Sequence, residues 1–219
     1  MRTIIIGDIH GCLAEFELLL RELHFVQGTD RLILLGDLIN KGPDSLGVLE
    51  KALELKCEVT LGNHEWGFIE NAKNPLRASS YFSKLKQQMA DRFDFWLSWM
   101  KDLPTFIEEE DFLVVHGGIV PGEHPKDSCA SVLTRIRTWD GKGDVLYSKT
   151  DPAWFDLYKE KKLVVFGHWA SKGLVERGNV IGLDTGCVYG KKLSALILPE
   201  KKIIQIKALK DYEKIVPIL

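Results

Sequence analysis

Short apolar runs, each ending at glycine and a polar residue, recur through the first third of the chain. They cover residues 2–6, 31–35 and 57–61 and lead into Gly7-Asp8, Gly36-Asp37 and Gly62-Asn63. Between them, residues 13–25 and 45–55 have apolar side chains at the spacing of an amphipathic helix. This β-α-β-α-β alternation predicts a mostly parallel sheet that is buried on both faces.

Residues 79–103 have helical periodicity without a clear interruption, which predicts one long helix or two shorter ones. The segment is rich in aromatic residues, namely Phe93, Phe95, Trp96 and Trp99. These side chains either pack against the sheet, which we favour, or form a cap over a site.

From residue 105 onward the pattern is typical of strands, with hairpin-like turns at Glu110-Asp111 and Pro199-Glu200. The predicted strands lie within residues 105–110, 112–118, 163–168, 179–186, 193–199 and 201–209. No internal repeat or linker is visible. We therefore expect an α/β fold in which two mixed sheets pack together with helices outside, as a single domain over residues 1–219.

Composition excludes few functions. The chain has 219 residues, 45% of them hydrophobic and 27% charged, as in ordinary globular proteins. A net charge of −2 gives no general reason to expect a nucleic-acid or membrane partner. The first apolar run is too short for a signal peptide, and no segment approaches the ~18 apolar residues of a membrane span. These features predict a cytoplasmic protein.

The four cysteines, Cys12, Cys57, Cys129 and Cys187, are scattered along the chain and form no C-x-x-C pair. This spacing argues against a disulfide framework and against a structural zinc site. We expect reduced thiols.

Five short motifs share one design, in which an apolar strand is followed by residues of the types that bind metals. They are GDIHG (7–11), GDLINKGPDS (36–45), GNHE (62–65), VVHGG (114–118) and FGH (166–168). In open α/β sheets, ligands bind beyond the carboxyl ends of the strands. The motifs are therefore expected to pool their polar side chains at one sheet edge.

The residue types at this edge favour a pair of divalent cations. Asp8 and His10 are two residues apart and can face the same side, and both oxygens of Asp37 can bridge two ions. Mixed oxygen and imidazole donors suit manganese, iron, cobalt, nickel or zinc. Two such ions outweigh the charges of Asp8 and Asp37 by +2, which attracts phosphate and lowers the pKa of bound water towards ~7.

From Gly7 to about Leu198, these motifs resemble the calcineurin-like metallophosphoesterases of the phosphoprotein phosphatase superfamily. TRIR (134–137), GHWAS (167–171) and LDTGCVYGKKLSAL (183–196) resemble more narrowly the symmetrical diadenosine tetraphosphatases and their relatives. The resemblance implies a four-layer αββα sandwich with a dinuclear centre, manganese being the expected metal. It assigns the first ion to Asp8, His10 and Asp37, and the second to Asp37, Asn63, His116 and His168.

The resemblance also implies roles around the metals. His64 is the general acid, and Asn63 and Arg137 contact the phosphate. Arg135 either joins them or is a surface charge.

The chain departs from the family pattern at Asn40-Lys41, where the protein-phosphatase branch has Asp-Arg. Asn40 can accept a hydrogen bond from His64 but carries no charge. We therefore expect His64 to be less easily protonated unless Glu65 helps. Lys41 offers a point charge to the phosphate instead of a planar fork.

The leading hypothesis is hydrolysis of dinucleoside polyphosphates, with attack by a metal-bound hydroxide splitting diadenosine tetraphosphate into two ADP. The alternatives are a serine/threonine protein phosphatase and a pyrophosphohydrolase acting on polyphosphate or a nucleic-acid cap. A non-catalytic scaffold of the same fold is disfavoured because every ligand position is filled.

Three features have two interpretations each. Trp169 either stacks on a base or belongs to the core, and Asp184 either supports the metal ligands or caps a turn. Lys191-Lys192 either contact a polyphosphate tail or form a solvated basic surface.

Overall fold

Strands and helices alternate through the first third of the chain, and strands dominate the remainder. A computed structural model describes residues 2–74, 76 and 78–213. Its strands are β1 (Thr3–Ile6), β2 (Arg31–Leu34), β3 (Glu58–Val59), β4 (Phe106–Glu108), β5 (Phe112–Val115), β6 (Leu163–Phe166), β7 (Val175–Arg177), β8 (Val180–Gly182), β9 (Lys192–Leu198) and β10 (Lys202–Lys207). Its helices are α1 (Leu13–Glu22), α2 (Ser45–Glu54), α3 (Asn63–Lys73), α4 (Ser80–Met89), α5 (Phe93–Lys101), α6 (Ala130–Leu133) and α7 (Trp154–Leu157).

The strands form two five-stranded mixed sheets. The first has the order β10-β9-β1-β2-β3, in which β1, β2 and β3 run parallel as the alternating pattern predicts. The antiparallel pair β9 and β10 completes its other edge. The second sheet has the order β4-β5-β6-β8-β7, with parallel β5, β6 and β8 at its centre. β7 was not predicted, because two of its three residues are exposed and give no apolar alternation.

Side chains alternate between two cores along each central strand. In β1, Ile5 faces the second sheet, whereas Ile4 and Ile6 face the helices that cover the first sheet. In β6, Val165 likewise faces the first sheet and Phe166 faces outward. Because both faces are covered, these strands are apolar without interruption.

The two outer layers are unequal. Helices α1 to α5 pack on the first sheet, and the buried Phe16 and Leu19 form the inner face of α1. The second sheet is covered by a long loop and the one-turn helices α6 and α7, which bury Leu133, Trp154 and Phe155. The predicted two-sheet sandwich flanked by helices is therefore confirmed.

The segment 79–103 forms two helices, separated by a 3-10 turn at Ala90–Arg92 where Ala90 has a positive φ of 47°. Trp96 is fully buried among the helices, and Phe93 packs edge-on against Phe82 in the same core. Phe95 is 46% exposed. Packing, the favoured interpretation of these aromatics, thus holds for Trp96 and Phe93. Over the described residues, no helix is both long and apolar enough to cross a membrane.

Candidate metal centre

The carboxyl ends of the strands of both sheets deliver polar side chains to one place. Asp8 and His10 follow β1, Asp37 follows β2, and Asn63 and His64 begin α3 directly after β3. His116 and His168 follow β5 and β6 of the second sheet. The site therefore straddles the line where the two sheets meet.

Two glycines let these loops approach one another. A Cβ atom on Gly167 would overlap with Oδ1 of Asp8, and one on Gly62 would overlap with the backbone nitrogen of Asp37. A larger residue at either position would displace a carboxylate of the site. This close approach accounts for glycine before the polar residue in both motifs.

Asp37 lies between two groups of potential ligands. One group is His10, Asp37 and His64, and the other is Asp37, His116 and His168; within each group the ligand atoms lie within 4.8 Å of one another. Oδ2 of Asp37 is 3.6 Å from Nε2 of His10, and Oδ1 is 3.4 Å from Nε2 of His116. Each oxygen thus faces a different imidazole, as a bridging carboxylate would.

Backbone carbonyls fix the orientation of two of the imidazoles. Nδ1 of His10 donates to the carbonyl oxygen of Ile39 at 3.0 Å, and Nδ1 of His116 donates to that of Leu35 at 2.7 Å. These bonds direct Nε2 of each ring at the site, where it is the atom that could bind a metal. Metal-binding histidines in proteins are held in this way.

Asn63, His168 and Asp8 complete the set. Oδ1 of Asn63 lies 2.6 Å from Nδ1 of His168 and 3.0 Å from Nε2 of His116. The backbone nitrogen of His168 donates to both carboxylate oxygens of Asp8, at 3.0 and 3.1 Å. Five of the six residues that the resemblance assigned to the metals therefore share these two groups and their contacts, and Asp8 lies beside them at the backbone of His168 but belongs to neither group.

The electrostatics of the site favour the binding of positive charge. Burial and the neighbouring Asp184 carboxylate raise the pKa of Asp8 well above its usual value. Although burial opposes it, the Asp37 carboxylate raises the pKa of His116 to about 10. A proton on His116 therefore balances part of the carboxylate charge, and a divalent cation would displace that proton. The donor types, their orientation and this charge all fit divalent cations.

The ammonium group of Lys41 supplies further positive charge. Its Nζ lies 2.9 Å from Nε2 of His10, and burial together with Lys41 lowers the pKa of that imidazole. Nζ also lies over the ring of Tyr189, 5.3 Å from its centroid. Lys41 therefore contacts His10, a member of the first group of ligands.

The surroundings of His64 differ from the prediction in two respects. Nδ2 of Asn40 lies 2.5 Å from Nδ1 of His64, while Oδ1 of Asn40 accepts from the backbone nitrogen of Lys41 at 3.0 Å. Asn40 therefore donates to His64, whereas we expected it to accept. Glu65 is fully buried and accepts from the backbone nitrogens of Asp37, Leu38 and Ile39, so it holds the metal loop and does not assist His64.

His64 is consequently an uncharged imidazole. Burial, opposed by Asp37 but aided by Lys41, lowers its pKa to about 4. Because Nδ1 accepts the hydrogen bond from Asn40, the ring proton resides on Nε2, 3.8 Å from Oδ2 of Asp37.

A cavity of about 310 Å³ opens beside the donors. Arg137 lines it, donates through Nη2 to the carbonyl oxygen of His168 at 3.2 Å, and has its Nε buried without a partner among the described residues. Its guanidinium lies over the ring of Tyr147 at 5.6 Å. Arg135 is exposed and does not line the cavity, although its charge contributes to the lowered pKa of His64.

Asp184, Tyr147 and Tyr189 line the cavity, although the sequence left the first undecided and missed the other two. Asp184 caps a turn by accepting from the backbone nitrogen of Gly186, which supports its turn-capping interpretation, and it also faces the cavity. The apolar strand before it is the signal that could have placed it with the other motifs. Tyr147 and Tyr189 also line the cavity, but they carry no spacing signal.

Trp169 lines the cavity, whereas the lysine pair lies outside it. Trp169 is only 7% exposed and packs into the core of the second sheet with Phe155, so it is a core residue with one edge at the cavity. Lys191 and Lys192 line a separate groove with Lys207, outside the cavity.

Comparison with known proteins gives a consistent family. Residues 1–206 match the sequence profile of the calcineurin-like phosphoesterases. A symmetrical bis(5'-nucleosyl)-tetraphosphatase from Janthinobacterium sp. (strain Marseille) is 29% identical, with 94% of this chain and 96% of that protein covered. One of the same name from Methylobacillus flagellatus is 30% identical, with 94% and 95% covered.

Two solved structures show the same architecture. A crystal structure provisionally assigned as a diadenosine tetraphosphatase has a TM-score of 0.85 and 34% identity, and covers 94% of this chain and 93% of its own. A serine/threonine phosphatase from Saccharomyces cerevisiae has a TM-score of 0.60 at 16% identity, with 99% of this chain and 80% of that one covered. The second likeness concerns the fold alone.

Proposed function

This chain belongs to the calcineurin-like phosphoesterase family, and we propose that it hydrolyses dinucleoside polyphosphates at a centre of two divalent cations. The observation that carries the proposal is Asp37, whose two oxygens face two separate groups of ligands beside an open cavity. The relatives named symmetrical bis(5'-nucleosyl)-tetraphosphatase support the substrate class.

In this proposal the first cation is held by Asp8, His10 and Asp37. The second is held by Asp37, which the two cations share, and by Asn63, His116 and His168. When bound, two such ions supply an activated water and stabilise charge on the phosphate. We propose Mn²⁺ as the native metal because the family resemblance implies it; the oxygen and imidazole donors suit manganese, iron, cobalt, nickel or zinc.

Lys41 and Arg137 are the phosphate-binding cations of the proposal. Each lies over a tyrosine ring, Lys41 over Tyr189 and Arg137 over Tyr147, which holds its charge towards the cavity. Arg137 lines the cavity, where its guanidinium can donate to a phosphate oxygen. Arg135 lies outside the cavity, where its positive charge attracts a longer substrate without contacting it.

His64 stabilises the leaving oxygen through its Nε2 proton. A phosphate leaving group, with a pKa of ~6, departs without full protonation. A serine alkoxide is nearly as basic as hydroxide, whose parent water has a pKa of ~15.7. The uncharged pair of Asn40 and His64 therefore favours a phosphoanhydride over a phosphoserine ester.

The test is a turnover panel with Mn²⁺ present. It sets diadenosine tetraphosphate against a phosphoserine peptide, inorganic polyphosphate and an aryl phosphate, with the Asp37→Asn protein as the inactive control. We expect the highest kcat/KM for diadenosine tetraphosphate and ADP as its only product by chromatography. Faster turnover of the phosphopeptide, or ATP plus AMP as products, would contradict the proposal.

The proposal treats the chain as one domain, since both sheets contribute ligands to the same site. It includes a cytoplasmic site of action, where four free cysteines stay reduced.

A further inference from the structure

A third group of potential ligands lies in the core, apart from the two groups at Asp37. It consists of Cys12, Glu15 and Cys187, whose ligand atoms lie within 4.8 Å of one another. Their exposed fractions are 0%, 0% and 1%. Cys12 immediately precedes α1, Glu15 lies in its first turn, and Cys187 lies in the loop between β8 and β9.

The carboxylate of Glu15 is only partly satisfied by the protein. Its Oε1 accepts from the backbone nitrogen of Leu209 and from the hydroxyl of Tyr212, both at 2.9 Å. Its Oε2 is buried and has no hydrogen-bond partner among the described residues. No lysine, arginine or histidine of the described residues lies within ion-pair distance of the Glu15 carboxylate. A buried carboxylate in this position requires a proton or a cation.

The two thiols beside it have few other partners. Cys12 Sγ donates only weakly, to the carbonyl oxygen of His10 at 3.8 Å. The nearby Cys12 thiol and burial raise the pKa of Cys187, so Cys187 is a thiol unless a cation displaces its proton. Both sulfurs therefore lie within 4.8 Å of a carboxylate oxygen of Glu15 in the core.

We propose that Cys12, Glu15 and Cys187 bind a thiophilic divalent cation of the zinc class, separate from the catalytic pair. Two thiolates and a carboxylate are ligands that Zn²⁺ prefers, at ~2.3 Å for sulfur and ~2.0–2.2 Å for oxygen. The catalytic donors contain no sulfur and therefore suit harder ions. Binding forms two metal–sulfur bonds and one metal–oxygen bond and releases the thiol protons to solvent.

The position of this site gives it a structural role. Cys12 belongs to the loop that carries His10, and Cys187 belongs to the loop that carries Asp184. Glu15 connects both to the segment 208–212 through Leu209 and Tyr212. A cation here would tie the loop of His10, the loop of Asp184 and the segment 208–212 to the start of α1.

The experiment uses Co²⁺ as the probe, in the full-length Asp37→Asn protein. Thiolate ligands give cobalt an intense near-ultraviolet charge-transfer band, which oxygen and imidazole ligands do not give. We expect this band with one cobalt per chain, and its loss in Asp37→Asn/Cys187→Ser. The matched control, Asp37→Asn/Cys129→Ser, removes an exposed thiol outside the cluster and should keep the band.

Two further measurements distinguish loss of the metal site from misfolding of the variant. Circular dichroism shows whether the Cys187→Ser protein is folded, and a Glu15→Gln variant, nearly equal in shape, should lower the cobalt affinity at least tenfold while both thiols remain. A Co²⁺-treated Asp37→Asn protein without the band overturns the inference, as does a folded Cys187→Ser protein that keeps it. Neither result bears on the two-cation catalytic centre, whose test is turnover.

Discussion

The side-chain amide nitrogen of Asn40 lies 2.5 Å from Nδ1 of His64. The same amide accepts from the backbone nitrogen of Lys41 through its oxygen, which fixes its orientation. Both Asn40 and Lys41 have positive φ angles, 81° and 67°, so the loop holds an uncommon conformation to place this pair. The consequence is an uncharged imidazole whose proton faces the site.

Replacing this uncharged partner by a carboxylate should change the pH dependence. In Asn40→Asp, the new charge favours protonated His64 and raises its pKa from about 4. The imidazolium is a stronger acid than the uncharged ring and is lost as the pH rises through its raised pKa. The kcat profile of the variant should therefore gain a basic limb at that pKa, which the unaltered protein with its uncharged His64 lacks. We expect turnover of an aryl phosphate to increase more than that of diadenosine tetraphosphate. Asn40→Ser is the uncharged control, and identical profiles for the two variants would contradict this account.

His64→Asn should lower kcat by about 100-fold or more, because it removes the donor to the leaving oxygen. Manganese binding, measured by calorimetry, should stay at two ions per chain. His64 is close enough to His10 and Asp37 to act as a ligand itself. A fall to one ion would therefore make His64 a metal ligand instead of the proton donor.

Asp37→Asn should abolish the binding of both manganese ions, since both oxygens of Asp37 face ligand groups. Electron paramagnetic resonance of free Mn²⁺ measures the loss directly. His24→Asn, at an exposed position outside the cavity lining, is the control. An Asp37→Asn protein that retains two ions would refute the bridging role.

Gly167→Ala and Gly67→Ala form a matched pair. A Cβ atom on Gly167 overlaps with Asp8, so this change should destabilise the protein by about 1–3 kcal/mol and weaken metal binding. Gly67 lies inside α3, where a Cβ atom meets nothing within 4 Å, and its replacement should stabilise the helix by about 0.5–1 kcal/mol. Urea unfolding midpoints compare the two, and equal midpoints would remove close approach as the reason for Gly167.

Tyr147→Leu should raise KM for diadenosine tetraphosphate with little change in kcat. The ring lies under the guanidinium of Arg137, a contact worth about 0.5–2 kcal/mol, or roughly 2- to 30-fold in affinity. Tyr147→Phe keeps the ring and should behave as the unaltered protein. A rise in KM in both variants would instead point to the Tyr147 hydroxyl.

Local sequence was sufficient for most of the fold, because strands buried on both faces are unmistakably apolar. β1, β2, β5 and β6 each lie where their runs predict. The sequence was insufficient for β7 and for the break at Ala90, where short exposed segments carry no periodic signal. The six predicted ligands are close together because parallel strands end at one edge.

The strand-end motifs and, through their order, the resemblance to a metallophosphoesterase could be recognised from the residues alone, because the polar residues that follow a strand are its neighbours in the chain. The contacts made across loops became visible only in the folded molecule. There Asn40 donates to His64, Glu65 holds the metal loop, and Cys187 lies beside Cys12. Packing between segments that are distant in the chain selects the partner of a buried amide, carboxylate or thiol, and adjacent residues carry no record of that partner.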